Sequence, residues 1–374
     1  MHSNNDMGVQ LRDIVASSAR DGGGGATGFQ IIGGGTKHFL GRKGIGAPLP
    51  VADHRGIIHY EPKELVITAR CGTKLDELES ALAERGQMLP FEPPHFGLGA
   101  TLGGAIATGL SGPRRPYTGA ARDFVMGVRL LNGRGEILRF GGEVMKNVAG
   151  YDVSRLMVGA MGTLGILLDV SLKVIPVPAE EITLVREQTP AEAITLMNIW
   201  AAQPLPLSGT CFDGKRLYVR LSGTPGAIRP ARERLGGELL EATDRSDDGF
   251  WNQVREQRHI FFPPITALQS SEPLWRLSVP PATPPILITG KWFMEWGGGQ
   301  RWLRMDLSNR ELPAREIRKS VGIVGGHATL FRGGDRNSAV FHPLASTLAE
   351  LHRRVKQAFD PHGLFNPGRL YSDL

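Results

Sequence analysis

Apolar and polar positions alternate along the first half of the chain in short runs, interrupted by glycine. Phe29-Gln30-Ile31-Ile32 reads as a buried strand running into Gly33-Gly34-Gly35. Residues 64–71 read as a second strand. Thr73 and Asp76 have the spacing of a capping box opening a helix; Leu75, Leu78 and Leu82 supply its apolar face, and Gly86 stops it. Segment 90–109 shows little regular patterning. Residues 125–131 and 136–140, joined by Asn132-Gly133-Arg134-Gly135, carry a hairpin signal. Residues 151–158 read as a helix, and 164–175 as a long strand ending at Pro176 and Pro178.

The pattern changes at Pro176-Val177-Pro178, where we place a domain boundary. Beyond it, helices are expected at 190–202 (with proline in the first turn), 227–235, 247–259 and 344–359. Strands are expected at 216–221, 274–279 and 302–307, and a surface loop at 280–285. There is no internal repeat.

Composition adds one feature. Glycine makes up 49 of 374 residues, about 13%, nearly double the usual ~7%. The glycines cluster between apolar runs with no collagen-like period, so the backbone must turn tightly or approach something closely. At 41% apolar and 21% charged the chain is globular rather than disordered. A net charge of +6 suits an anionic ligand, an acidic partner or an anionic surface. A nucleic-acid role rests only on the pI near 9.5 and is disfavoured, because the basic residues are dispersed; the tightest pair, Arg114-Arg115, is flanked by prolines.

The two cysteines, Cys71 and Cys211, sit in no C-x-x-C. The chain alone therefore holds no four-thiolate cluster, and a reducing compartment is expected. The polar start, Met1 to Asp6, has no apolar signal core. The longest apolar stretch, residues 156–168, is 13 residues long, short of the roughly 18 needed to span a bilayer. A cytoplasmic chain without a transmembrane segment is expected, peripheral to a membrane only through a partner.

Four glycine clusters are candidate ligand-binding elements. Gly33-Gly34-Gly35-Thr36-Lys37 follows a strand; glycines there let successive N–H groups point at one anion, with a hydroxyl and a charge added by Thr36 and Lys37, which suits a diphosphate. Residues 101–109 place small side chains on one face, so a planar ring or another backbone can pack close. Residues 150–166 read as a helix, a glycine turn and a strand. Phe365-Asn366-Pro367-Gly368-Arg369 follows the last helix. Each has an ordinary structural reading too. Two look-alikes fail on context. Gly23-x-Gly25-x-x-Gly28 precedes a strand instead of following one, and the Walker-like 209–216 has Arg216 where Ser or Thr is required.

Taken in order, residues 31–37, 100–115, 122–127, 142–152, 155–166, 325–332 and 365–369 resemble the vanillyl-alcohol-oxidase/p-cresol-methylhydroxylase (PCMH) type of FAD-binding family, and within it the FAD-binding subunits of bacterial glycolate oxidases, or glycolate dehydrogenases. The resemblance covers nearly the whole chain and is weakest over 180–320. It implies an α+β protein: a two-part PCMH-type FAD-binding domain at 1–178, an α+β cap at 179–356, and a C-terminal segment, 357–374, returning to the flavin. It puts cofactor contacts on Gly33, Gly34, Gly35, Thr36 and Lys37; on Thr101, Gly103, Gly104, Ala107 and Gly109; near Asp123; on Gly162, Thr163, Gly165 and Ile166; and on Asn366. Some relatives attach FAD through a histidine directly after the loop glycines. Here that place holds Thr36, with His38 two residues on, so the FAD is expected to be non-covalent.

The activity implied is oxidation of glycolate, or of a small 2-hydroxy acid such as D-lactate, to the 2-oxo acid, with electrons passing through FAD to a partner iron–sulfur subunit. Such chemistry needs a base for the hydroxyl proton and cations for the carboxylate. His327 and His342 are candidate bases, Arg332 and Arg336 candidate clamps, with His327 and Arg332 preferred. Related catalytic subunits carry paired-histidine metal motifs, and no H-x-x-x-x-H or equivalent carboxylate-rich cluster is found here, so no metal is expected. The alternative is a non-catalytic FAD-binding subunit, structural or relaying electrons, with substrate chemistry in a sister FAD-binding subunit.

Overall fold

The computed structural model describes residues 5–20, 28–142, 151–240, 249–264, 272–305 and 314–374. The chain divides into two compact units: Met1–Leu110, Ala120–Val177 and Arg336–Leu374 in the first, Ser111–Gly119 and Pro178–Asp335 in the second.

The first unit is organised by a five-stranded antiparallel sheet in the order Ile57–Glu61, Val66–Arg70, Ile166–Lys173, Val125–Leu131, Ile137–Gly141. Its middle strand is buried along most of its length, even at Asp169 and Ser171, whose side chains bond to Arg129 and His54 and to Thr68. One face carries the core of Ile67, Leu130, Val170 and Leu172 under the helices Leu75–Ala83 and Leu102–Thr108. A second core, with Leu11, Val15, Leu49, Ile166, Leu168 and Phe365, joins the helix Gly8–Arg20 and the C-terminal segment. A separate parallel pair, Phe29–Ile32 with Ala47–Pro50, carries the first glycine cluster at the end of its first strand.

The helix over Leu75–Ala83 buries Leu75, Leu78 and Leu82 completely, as the periodicity predicts. The capping box does not form. The Thr73 hydroxyl instead accepts from the Gly56 N–H (2.9 Å), and the Leu75 N–H donates to Ala100 O (2.9 Å), so neighbouring backbone satisfies the helix start. The unpatterned 90–109 segment ends in the helix Leu102–Thr108, capped by the Thr101 hydroxyl on Gly104 N–H (3.2 Å). The helix expected at 151–158 is a single turn, Val153–Leu156, and the one expected at 247–259 contracts to Phe250–Arg255 among the described residues. The 302–307 strand is displaced to Gln300–Arg304, paired on both sides. Most of 142–152, the glycines at 23 and 25, Asp247 and Leu307 lie outside the described residues.

The second unit is built on an eight-stranded antiparallel sheet in the order Glu238–Leu239, Glu180–Glu187, Arg216–Gly223, Leu207–Phe212, Lys291–Glu295, Gln300–Arg304, Leu274–Ser278, His327–Arg332. Leu184, Phe212, Leu217, Val219 and Met294 face the helices Pro190–Ala201 and Pro225–Leu235. Alternation sends their neighbours Cys211, Phe293 and Glu295 to the opposite face.

Candidate functional site

Twelve of the expected cofactor residues line one cleft in the first unit: Gly33, Gly34, Gly35, Thr36, Lys37, Thr101, Gly103, Gly104, Ala107, Gly162, Gly165 and Asn366. The cleft spans about 940 Å³ of space free of protein atoms, part of it open to solvent. Three segments distant in sequence, 33–37, 101–108 and 161–165, therefore share one wall.

Among the described residues, the backbone N–H groups of Gly33, Gly34, Gly35 and Thr36 donate to no protein acceptor. Four successive amide donors left over at the end of a strand form an anion-binding concavity. Gly34 is required for this path: a Cβ there would lie 1.4 Å from Gly99 O. Lys37 is buried beside the loop; its Nζ donates to His95 O (3.1 Å) and Thr36 Oγ1 (3.3 Å) and lies 5.8 Å from the centre of the Phe96 ring.

Asn366 closes the cleft from the C-terminal side. Its Oδ1 accepts from Ile31 N–H (2.9 Å), and its Nδ2 donates to Met161 O (2.7 Å). Lys356 holds the preceding turn through Thr163 O (2.7 Å), Asp360 (2.6 Å) and Phe365 O (2.9 Å). Arg369 also lines the cleft, donating to Arg42 O (2.6 Å) and His38 O (2.9 Å). Partial desolvation, then the Arg369 charge, lower the His38 pKa below the usual histidine value. His38, Cys71, Met161 and Arg369 join the lining although sequence reasoning had not assigned them to it; Arg369 closes the quoted C-terminal motif, the one signal available for it.

Four expected contacts serve packing instead. Gly109 ends the helix Leu102–Thr108 at a φ of 61°. The Asp123 carboxylate accepts from Ala120 N–H (2.8 Å) at the start of a short helix. The Thr163 hydroxyl donates to Ala160 O (2.7 Å), and Ile166 lies in the core. Gly109, Thr163 and Ile166 sit next to lining residues in the chain but on another face, which a linear motif does not distinguish.

The catalytic candidates fall in both units. His327 opens the edge strand of the second unit and is exposed. Arg332, on the same strand, is buried; its guanidinium donates to Pro263 O (3.0 Å) and to Gln257 Oε1. Arg336 belongs to the first unit and donates to Phe39 O (2.5 Å); burial, then Arg369, push its pKa down to about 10. His342 offers its carbonyl to the Tyr371 hydroxyl (3.1 Å). His95 Nδ1 lies 3.0 Å from the Asp76 carboxylate and its Nε2 3.1 Å from that of Glu79, and the three side chains offer ligand atoms within 4.8 Å of one another.

The donor set fits FAD. Among the described residues the lining holds no acidic side chain, carries Lys37 and Arg369, and presents free amides beside a surface of small residues. A diphosphate matches the amides, and a flat apolar ring matches the small-residue wall.

Comparison with known proteins agrees with that chemistry. Residues 14–141 match a family described as "FAD binding domain", and residues 340–370 match "FAD linked oxidases, C-terminal domain". The chain is 47% identical to the glycolate oxidase subunit GlcE of Escherichia coli over 92% of its own length and 93% of that protein's. It is 33% identical to the glycolate oxidase subunit GlcD of Bacillus subtilis, over 44% of its length and 35% of that protein's. A D-lactate dehydrogenase of Anaerostipes hadrus is 33% identical over 38% of the chain and 30% of that protein. Among solved structures, an alkyldihydroxyacetonephosphate synthase superposes with a TM-score of 0.65 at 13% identity, covering 96% of this chain and 74% of that one, which shows a shared fold.

Proposed function

Because the chain belongs to the family of FAD-linked oxidases that includes the glycolate oxidase subunits, we propose that it is the FAD-binding subunit of a glycolate oxidase or dehydrogenase complex. Its substrate is glycolate or a small 2-hydroxy acid such as D-lactate, oxidised to the 2-oxo acid. The electrons leave to a partner iron–sulfur subunit, since this chain's two cysteines are both buried and separate. The partners are that subunit and a sister FAD-binding subunit. No helix among the described residues is long and apolar enough to cross a membrane; the reading places the complex in the cytoplasm, at the inner face of the membrane.

The observation that carries the reading is the run of amides at Gly33 to Thr36, unbonded among the described residues, in a cleft whose described lining has no acidic side chain. Those amides and Lys37 would hold the diphosphate. Thr101, Gly103, Gly104 and Ala107 would let the ring pack against backbone, and Asn366 would keep the wall closed. Bound FAD supplies a two-electron acceptor. Thr36, at the place of the linking histidine, supports non-covalent attachment.

The purified chain should be yellow and release its flavin in acid. Anaerobic addition of glycolate or D-lactate should bleach the 450-nm band, as flavins do on reduction (about 450 nm). Bleaching only in the assembled complex would assign the substrate chemistry to the sister subunit. A colourless chain that FAD does not reconstitute would overturn the reading.

A further inference from the structure

Arg369 brings a partly buried positive charge to the cofactor cleft with no acid to balance it. Among the described residues its guanidinium donates to Arg42 O (2.6 Å) and His38 O (2.9 Å) and makes no ion pair. The fork carries more N–H donors than two carbonyls use. Its charged neighbour is another cation, Arg336, which donates to Phe39 O (2.5 Å). A guanidinium with donors to spare beside a second guanidinium is unfavourable unless an anion joins it.

His38 lines the same cleft where it opens to solvent. Its N–H donates to Gly35 O (3.2 Å), closing a turn that lays the imidazole against the anion loop. A Cβ added at Gly35 would lie 3.3 Å from the ring Cδ2 and 3.4 Å from Nε2. The ring makes no hydrogen bond or ion pair among the described residues. Nε2 therefore lies beside the open amides of Gly33 to Thr36, and Arg369 holds the carbonyl of the same histidine.

We propose that His38 and Arg369 form a side-chain arm of the diphosphate site, Arg369 pairing with its charge and His38 donating to it through Nε2. Retention of the cofactor is then linked to a proton on His38. With Lys37, Arg369 gives the described lining two permanent positive charges and no negative one. The diphosphate of a dinucleotide brings the same charge with opposite sign, and an imidazolium adds to the attraction. The inference rests on the function proposed above.

The sign of the linkage follows from the neighbours. Partial desolvation, then the Arg369 charge, hold the His38 pKa below the usual histidine value. A dianion joined to Arg369 offsets that repulsion and attracts the proton, so the pKa rises on binding. Affinity therefore grows as pH falls and is level above the raised value. Among the described residues the charged group acting on His38 is Arg369, which stands in turn against Arg336 and Arg42; Lys37 Nζ is taken up by His95 O and the Thr36 hydroxyl. Burial, then Arg369, push Arg336 down to about 10, so it keeps its charge through neutrality.

The full chain, freed of flavin, is titrated with FAD between about pH 8 and about pH 5.5, with the melting temperature recorded on every sample. Wild type should bind about three- to tenfold more tightly at the acid end. His38→Gln keeps a donor but does not ionise, and should show no such slope. Arg369→Met should weaken FAD about tenfold and move the onset of the slope to higher pH, because His38 loses its repelling neighbour. Arg369→Lys should restore part of the affinity. A merely structural Arg369 would lower affinity and leave the onset in place. Coincident slopes in wild type and His38→Gln, an unmoved onset in Arg369→Met, or unchanged FAD affinity in folded Arg369→Met overturns this arm. A wild-type chain that takes up no FAD at any pH overturns instead the reading beneath it.

Discussion

Asn366 reaches back across 335 residues to Ile31: its side-chain oxygen accepts the Ile31 amide at 2.9 Å while its nitrogen donates to Met161 O at 2.7 Å. One side chain thus ties the C-terminal segment to the strand that feeds the anion loop and to the glycine turn at 159–162. It does so from a left-handed backbone, φ 43°, which asparagine tolerates better than most residues.

Asn366→Ala should lower stability by about 1–3 kcal/mol, because two partly buried backbone groups lose their partner and alanine resists the left-handed conformation. FAD affinity should fall with it, read by thermal unfolding and by flavin retained after dialysis. Flavin content and melting temperature equal to wild type would contradict the assignment.

Two neighbouring cleft glycines should behave differently. Gly34→Ala puts a methyl 1.4 Å from Gly99 O, so the loop must be displaced, costing on the order of 3 kcal/mol and the bound flavin. At Gly104 the nearest atom to an added Cβ is Thr101 Oγ1, at 3.3 Å. Gly104→Ala should therefore fold normally, within about 1 kcal/mol, yet narrow the cleft and weaken FAD roughly tenfold. Paired melting curves and flavin titrations separate the two effects.

Lys37→Met removes a buried charge beside the free amides but leaves the ring wall intact. FAD should bind about tenfold more weakly while riboflavin, which has no diphosphate, is little changed. Equal losses for both ligands would place the diphosphate elsewhere.

Glu295 sets a stability limb of its own. Burial raises its folded pKa from 4.5 to about 7, so its favourable contribution is complete below 4.5 and disappears as pH rises through about 7. The melting temperature should fall across that window, corresponding to at most about 3 kcal/mol. Glu295→Gln should flatten it.

Local chemistry was legible wherever it depends on nearest neighbours. The strand at Phe29–Ile32, the hairpin at 125–141 and the helix face of Leu75, Leu78 and Leu82 all follow from period and turn residues. The helix Gly8–Arg20 and the strands Glu180–Glu187, Leu207–Phe212 and Lys291–Glu295 carry no turn signal strong enough to mark them, and their pairing partners lie far along the chain. The capping-box spacing misled because Thr73 found a better-placed donor in Gly56, 17 residues upstream.

The order of glycine clusters, and so the kind of ligand, is written in the chain, because positive φ and close backbone approach are properties of single residues. Which glycines line the cleft and which only pack, and that Asn366 meets Ile31, are consequences of register. Register is set by pairing across long loops, where a shift of one residue sends a side chain to the other face, and no local pattern encodes that choice.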